Sequence, residues 1–190
     1  MSTKKRILSS ALKVFGDKGY TRATTKDIAK EAGIHESTLF RHFEQKQKIL
    51  LDALIEFSLN KSDTPISYCE DIEKDLYMLG KTYIEQALNN VSLVRISLME
   101  SPVNPEVAKI IYEYINVREQ RLVEYFQMMH EKGKIPGQNF LILATMFYGV
   151  LYSYVSSKVK FEEIGATYIE QEELLKETVI LFTKYLKTSG

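Results

Sequence analysis

Apolar residues in this chain recur every three or four positions, in separate blocks along most of its length. In the first block, Ile7, Ala11 and Phe15 lie four residues apart, which places them on one face of an α-helix. No useful run alternates apolar and polar residues as a half-buried strand does. Only four prolines and nine glycines occur among 190 residues, which also favours helix. The spacing therefore predicts an all-α protein.

Glycine, proline and polar residues separate the apolar blocks and set the limits of the predicted helices. Gly19 ends the first helix, and Thr24 or Thr25 caps the second. The further predicted helices cover residues 26–32, 35–42, 46–57, 71–89, 93–100, 106–132, 138–157 and 167–186. The polar segment 61–65, which ends in Pro65, is the best domain boundary. We therefore expect one domain over residues 1–60 and a second over residues 61–190.

The net charge of zero hides an asymmetry between these two parts. Residues 1–50 hold eleven Lys and Arg against five Asp and Glu, a net charge of +6. Residues 51–190 hold fourteen against twenty, a net charge of −6. Either surface charge is partitioned by chance, or the N-terminal part alone binds a polyanion such as nucleic acid.

One uncharged segment, residues 135–157, is long enough to span a membrane. Its dense apolar part, residues 140–151, is too short to do so, and the segment carries many Tyr, Ser and Thr residues. We therefore expect a buried or interface helix and no membrane partner. Together with the apolar last helix, this segment predicts a homodimer formed through residues 138–157 and 167–187.

The segment from Thr24 to Lys46 has the proportions of a helix-turn-helix, with two short helices separated by Ala32-Gly33-Ile34. The second helix is polar at its start and apolar only at Leu39 and Phe40, with Phe43 following. A helix that enters the major groove needs such hydrogen-bonding side chains outside and a few anchors inside. A generic helical core has a similar composition, so both interpretations stay open on the residues alone.

The residues of this segment also form a recognisable signature. They read Thr24-Thr25-x-Asp27-Ile28-Ala29-x-x-Ala32-Gly33-Ile34, then Ser37-Thr38-Leu39-Phe40-x-His42-Phe43-x-x-Lys46. This signature resembles that of TetR-family transcriptional regulators, and the resemblance covers residues 5–57. It implies an N-terminal helix-turn-helix unit of three or four helices, followed by an antiparallel helical domain for ligand binding and dimerisation. The chain departs from the family pattern at His35, Ser37 and Phe40, which bears on the operator that is bound.

The resemblance and the residue types together predict the DNA-binding side chains. Thr25 serves as a cap or contacts phosphate, and Lys46 contacts phosphate from the start of a helix. Arg41 either contacts guanine or faces solvent, and Lys4, Lys5 and Arg6 either contact DNA or fray. Phe40 is suited to a thymine methyl group, and His42 to the DNA backbone. The remaining candidates for base edges or nearby phosphates are Lys26, Glu36, Ser37 and Thr38.

In TetR-family regulators the second domain binds a small-molecule effector, so the resemblance implies an apolar pocket in residues 61–190. Aromatic and methionine side chains are the candidates, although residues at helical spacing usually form the core. The seven candidates are Tyr83, Met99, Tyr112, Phe126, Met129, Phe147 and Tyr148. The sequence holds no catalytic motif or metal-ligand pattern, so we expect no enzyme activity, no cofactor and no metal.

Two functions remain open at this point. The first is a ligand-responsive, dimeric DNA-binding regulator, namely a repressor released from a palindromic operator by a small apolar molecule. The second is a helical enzyme or partner-binding protein whose N-terminal bundle is only structural. A single cysteine, Cys69, and an N-terminus that does not read as a signal peptide predict a cytoplasmic protein.

Overall fold

The computed structural model describes residues 2–58, 68–161, 164 and 169–188. These residues form helices and connecting turns, with no β-strand among them, which confirms the predicted all-α class. The helices are α1 (Thr3–Lys18), α2 (Thr25–Glu31), α3 (Glu36–His42), α4 (Lys46–Phe57), α5 (Ile72–Leu88), α6 (Val91–Glu100), α7 (Pro105–Glu131), α8 (Phe140–Phe161) and α9 (Gln171–Thr188).

Capping interactions explain several of these limits. Ser2 caps α1 by accepting a hydrogen bond from Lys5 N–H at 3.3 Å. Thr24, and not Thr25, caps α2, and it forms a reciprocal capping box with Asp27. Each side chain satisfies a backbone N–H that the first helical turn leaves unpaired. Thr25 is thus free of the capping role that the sequence left open for it.

The predicted helices differ from the observed ones mainly at their ends. The uncharged helix begins at Phe140 and continues to Phe161, past Lys158 and Lys160, because charged residues are tolerated at a solvent-exposed helix end. The predicted boundary segment at residues 61–65 and the predicted start of the last helix at Thr167 lie outside the described residues.

The chain packs as two compact units, and each unit consists of two separate stretches of the sequence. The first unit comprises Met1–Asp63 and Asn90–Ile115, and the second comprises Thr64–Asn89 and Asn116–Gly190. By packing, α6 and the first part of α7 therefore belong with the N-terminal helices, although the sequence placed them in the second domain. The division into a DNA-binding part and an effector-binding part remains a prediction about function.

The core of the first unit brings α6 and α7 onto the N-terminal helices. Among the described residues it joins apolar side chains from α1, α2, α3 and α4 to Leu93, Ile96, Val107 and Ile110. The centre of this core consists of fully buried large side chains, namely Ile7, Phe15, Ile28, Leu39, Phe43, Ile49, Leu50 and Leu54. Its size explains how such short helices as α2 and α3 are held, since burial and not propensity stabilises them.

Aromatic side chains fill much of the second unit. Phe147 of α8 meets Phe182 of α9 edge to face, with ring centroids 5.3 Å apart. At the start of α5, the carboxylate of Asp75 is 1% exposed and accepts hydrogen bonds from Tyr125 Oη and from Cys69 N–H. Burial, followed by the hydrogen bond to Asp75, raises the pKa of Tyr125. Tyr125 is therefore a neutral donor at any physiological pH.

Helix α8 is strongly apolar, and only part of its apolar surface is buried within the chain. Within the described residues it is the one helix long and apolar enough to cross a membrane, by length and composition alone. Only 39% of its most apolar 18-residue window is buried inside the protein.

The close contact between α1 and α6 depends on Gly16. A Cβ atom at Gly16 would lie 2.6 Å from Ser92 Cβ and 2.7 Å from Ser92 Cα. We expect Gly16→Ala to lower the free energy of unfolding by about 1–3 kcal/mol, because the backbones must separate. Urea denaturation measures this change.

Gly80→Ala is the matched comparison. Its added Cβ would lie 2.5 Å from Leu175 Cδ1, the end of a side chain that can rotate away. We expect a smaller loss there, because a side-chain end can give way more readily than the backbone atom that the added Cβ meets at Gly16. Equal losses at Gly16 and Gly80 would contradict the interpretation of the α1–α6 contact.

Candidate nucleic-acid interface

Helices α2 and α3 form the helix-turn-helix that the sequence predicts. Gly33 adopts a positive φ of 63° in the turn between them, a conformation that glycine adopts without strain. The N–H of Ile34 donates to the carbonyl of Ala29 at 3.0 Å, which closes the end of α2. Leu39 and Phe43 are buried and anchor α3 from inside. The opposite side of α3 is consequently turned to solvent.

The residues predicted to contact DNA fall into two groups. Five have exposed side chains, including Phe40 at 49% exposure: Lys26, Ser37, Phe40, Arg41 and His42. Four are half-buried: Thr25, Glu36, Thr38 and Lys46. The structure thus places all nine on or beside α2, α3 and the first residue of α4.

Thr25 and Glu36 are bound to each other. Each is the first residue of its helix, and Thr25 Oγ1 donates a hydrogen bond to Glu36 Oε1 at 2.6 Å. Short bonds of this kind are typical of a hydroxyl that donates to a carboxylate. The pair ties α2 to α3 across the turn, a contact that sequence spacing did not indicate.

Lys46 makes its strongest contacts inside the protein. Its Nζ donates to the carbonyl of Tyr20 at 2.8 Å and to the carbonyl of Ala23 at 2.9 Å. The same ammonium lies 4.3 Å from the centroid of the Tyr20 ring. In this structure the Lys46 cation therefore holds the connection between α1 and α2.

Glu100 holds the same connection from the other side, and sequence reasoning missed it. The side chain is 8% exposed, and its Oε1 accepts the N–H of Tyr20 at 2.9 Å. Burial, and after it the charge of Glu100, raises the pKa of Tyr20. Because eighty residues separate the two partners, no local pattern could have indicated this pair.

Many cations of the basic N-terminal part are neutralised within the first unit. Lys5 pairs with Glu56 at 2.9 Å, and Lys4 lies 3.8 Å from Asp52. Lys18 pairs with Asp27 at 2.7 Å, and this hydrogen bond lowers the pKa of Asp27 to about 2. Within the described residues, Lys26 and Arg41 make no such contacts. Lys30 of α2 is likewise exposed without an acidic partner among the described residues, so these three side chains carry most of the exposed positive charge of the helix-turn-helix.

The seven predicted effector residues do not gather at one place. Met99 and Tyr112 belong to the first unit and are exposed, whereas the other five belong to the second unit. Tyr83 lies beside Tyr148, with ring centroids 5.4 Å apart, and Phe147 follows in the same cluster. Phe126 and Met129 are fully packed in the core. Among the seven candidates, Tyr83, Phe147 and Tyr148 form one cluster, which lies between α5 and α8.

Metal binding finds little support among the described residues. No three His, Cys, Asp or Glu side chains there lie close enough to hold a metal ion. His130 packs near Phe140, and its Nδ1 lies 2.9 Å from the carbonyl of Ile135, as a residue that shapes a turn does.

Comparison with known proteins agrees with this geometry. The model of the family described as bacterial regulatory proteins, tetR family, matches residues 7–53. YvkB of Bacillus subtilis (strain 168), an uncharacterized HTH-type transcriptional regulator, is 31% identical over 182 residues, which cover 96% of each chain. IcaR of Staphylococcus epidermidis, a negative transcriptional regulator of the biofilm operon icaADBC, is 23% identical over 168 residues, or 83% of this chain and 86% of IcaR.

A solved structure shows the same fold. The transcriptional regulator FadR from Bacillus subtilis, in complex with stearoyl-CoA, aligns with a TM-score of 0.65 and 18% identity over 93% of this chain and 95% of FadR. The chain belongs to the TetR family of transcriptional regulators. It is accordingly a DNA-binding transcriptional regulator and not an enzyme.

The internal bonds of Lys46 predict a structural effect of its removal. We expect Lys46→Met to lower the free energy of unfolding by about 2 kcal/mol, because two carbonyls lose a charged donor. Lys48→Met on the same helix is the control, since Lys48 is exposed and only pairs with Asp52 at 3.4 Å; such surface pairs contribute about 0–1 kcal/mol. Urea denaturation of both variants distinguishes the two residues, and equal stability would show that the Lys46 bonds do not hold the fold.

Proposed function

We propose that the protein is a cytoplasmic homodimeric repressor, which binds a palindromic operator in double-stranded DNA and is released by a small, largely apolar molecule. The observation that carries this proposal is the two-sided helix α3. Leu39 fixes it from inside, and Ser37 and Arg41 face solvent on its outer side. Two such helices related by a two-fold axis fit two half-sites of a palindrome.

The residues have different proposed roles on DNA. Lys26, Ser37, Thr38 and Arg41 are suited to base edges or nearby phosphates, together with Glu36. Phe40 is suited to a thymine methyl group, and His42 to the DNA backbone. Thr25 and Lys46 are the proposed phosphate contacts.

For Lys46, the backbone supports phosphate contact better than the ammonium does. The first hydrogen bond of α4 runs from Ile49 N–H to the carbonyl of Gln45, so the earlier N–H groups of the helix have no partner within it. Unpaired N–H groups and the dipole of a helix start attract a phosphate. The Lys46 side chain then orders the helix that presents them.

Selection of bound sequences from random duplex DNA tests the proposal, and we expect a palindrome to be recovered. On that operator, Lys26→Ala should weaken binding to all sequences about equally and reduce the salt slope by about one, because one cation that meets phosphate is lost. Lys109→Ala removes the same charge from an exposed position on α7 and should change neither quantity. Failure to recover any preferred sequence would overturn the proposal.

The proposed dimer rests on the outer faces of α8 and α9. Met146 is 55% exposed and Leu181 is 65% exposed, and Ile142 and Tyr185 lie one helical turn from them. A groove of about 350 Å³ runs between the two helices. It is lined by Gln138, Asn139, Ile142, Leu143, Met146, Leu181, Phe182 and Tyr185.

Gln138 adds a polar argument for a partner at this groove. Its amide nitrogen and oxygen are buried, and neither finds a hydrogen-bond partner in the part of the chain that the structure describes. An unsatisfied buried polar group costs about 1–3 kcal/mol. If the Gln138 side chain turns outward into the groove, a second copy can supply the missing polar partners and cover the apolar surface, which supports a protein interface over a membrane.

Met146→Glu tests this interface. Placing a charge at the centre of the apolar face should shift the protein toward monomer, as measured by sedimentation at micromolar concentration. Val103→Glu is the control, because Val103 is 75% exposed and lies in the first unit. Phe182 is less informative, since it is buried against Phe147. A dimer that survives Met146→Glu unchanged would place the interface elsewhere.

Two relatives support the remaining parts of the proposal. IcaR is a negative regulator, which favours repression. FadR was solved with stearoyl-CoA, which favours a small-molecule effector. In this chain the half-buried rings of Tyr83 and Tyr148, beside the buried Phe147, offer aromatic surface to such a molecule. Phe126 and Met129 are weaker candidates because they are packed in the core, and so are Met99 and Tyr112 because they belong to the first unit. Binding must favour one conformation to change DNA affinity.

A further inference from the structure

The bond between Thr25 and Glu36 places an acid among the residues proposed to meet DNA. Lys26 directly follows Thr25, and Ser37 directly follows Glu36; both neighbours are exposed. A carboxylate at such a position is repelled by phosphate, so it needs a compensating role.

The hydroxyl of Thr25 has a single proton, and Glu36 accepts it at 2.6 Å. While this bond exists, Thr25 cannot use the same proton for a phosphate. The capping box of α2 is completed by Thr24 and Asp27, so release of the Thr25 hydroxyl would leave the helix start intact. The hydroxyl is therefore available for exchange without loss of the local fold.

We propose that Glu36 is a specificity-determining residue that couples base recognition to phosphate contact through Thr25. On non-specific DNA, Glu36 keeps the Thr25 proton and repels the backbone. At the operator, the N4 amino group of a cytosine takes the place of Thr25 as the donor to Glu36. The Thr25 hydroxyl is then free to donate to a phosphate.

The exchange leaves no hydrogen-bonding group of the pair without a partner. One donor to the carboxylate is replaced by another, and the released hydroxyl gains a charged acceptor. Where the operator cytosine is replaced by thymine, an acceptor faces Glu36, the exchange does not occur, and both contacts are lost together. The inference rests on the proposed function, since it requires that α3 enters the groove of an operator.

The test uses full-length Thr25→Val and Glu36→Gln variants, with binding measured on the selected operator, on single-base variants of each half-site, and on random duplex. Thr25→Val keeps the shape and removes the hydroxyl. We expect it to weaken operator binding about tenfold, the usual effect of losing a bond to a charged group. On DNA that lacks the cytosine, and on random duplex, it should have no effect. A simple phosphate contact would instead weaken binding to every sequence equally.

Glu36→Gln keeps an acceptor oxygen and removes the charge. We expect it to raise affinity for random duplex about fivefold, the effect of removing one nearby like charge, and to relax the preference for cytosine. Glu113→Gln makes the same change of net charge at an exposed position on α7 and should leave both quantities unchanged. Circular dichroism melting checks that all variants are folded.

The possible outcomes distinguish a failure of this inference from a failure of the proposed function. If the wild-type protein selects no sequence, the proposed function itself is wrong. If the wild-type protein selects an operator but Thr25→Val weakens all DNA equally, or Glu36→Gln leaves base preference unchanged, then only the coupling through Glu36 is wrong. If Thr25→Val lowers the affinity only for DNA that carries the cytosine, the result supports the coupling.

Discussion

The backbone of Tyr20 is the point on which the first unit depends. Glu100 accepts the N–H of Tyr20, and Lys46 donates to its carbonyl, so a negative and a positive side chain hold the two peptide groups that flank one residue. The three partners come from α6, from the α1–α2 connection and from the first residue of α4. A buried backbone group that lost either partner would carry a desolvation cost. The position of the helix-turn-helix relative to α1, α4 and α6 follows from this arrangement.

Local sequence patterns were enough to predict the helices, and the family signature indicated that two of them form a helix-turn-helix. The spacing of Ile7, Ala11 and Phe15 predicted α1, and the residues around Gly33 predicted the turn, because helical periodicity and turn conformation depend on neighbouring residues. The partners of Lys46, Glu36 and Glu100 were out of reach for the opposite reason. Each of these side chains binds a group eleven to eighty residues away in the chain, and only the packed core brings the two together.

The net charge of the first fifty residues also shows what the sequence predicts and what only the structure adds. The sequence shows a net charge of +6 over the first fifty residues and favours a polyanion partner. In the structure, several of those lysines are paired with acids of the same unit, such as Lys5 with Glu56 and Lys18 with Asp27. The total therefore overstates the unpaired positive charge of α2 and α3, which among the described residues lies at Lys26, Lys30 and Arg41. A count of charges predicts the class of partner, and the geometry predicts the surface.

The core of the first unit is built from two separate stretches of the chain, which has an evolutionary consequence. Leu93, Ile96, Val107 and Ile110 complete a core that is otherwise built from the first four helices. Those four residues lie in the chain beyond α5, which belongs to the second unit. A recombination event that joined the first sixty residues to the remainder of another regulator would bring together helices α1 to α4 and a foreign α6. Such a hybrid retains its core only if the incoming α6 carries apolar side chains of matching size. It also needs a small residue at the position of Ser92, which contacts Gly16. In this protein the helix-turn-helix and α6 must therefore change together, because each supplies side chains to the same core.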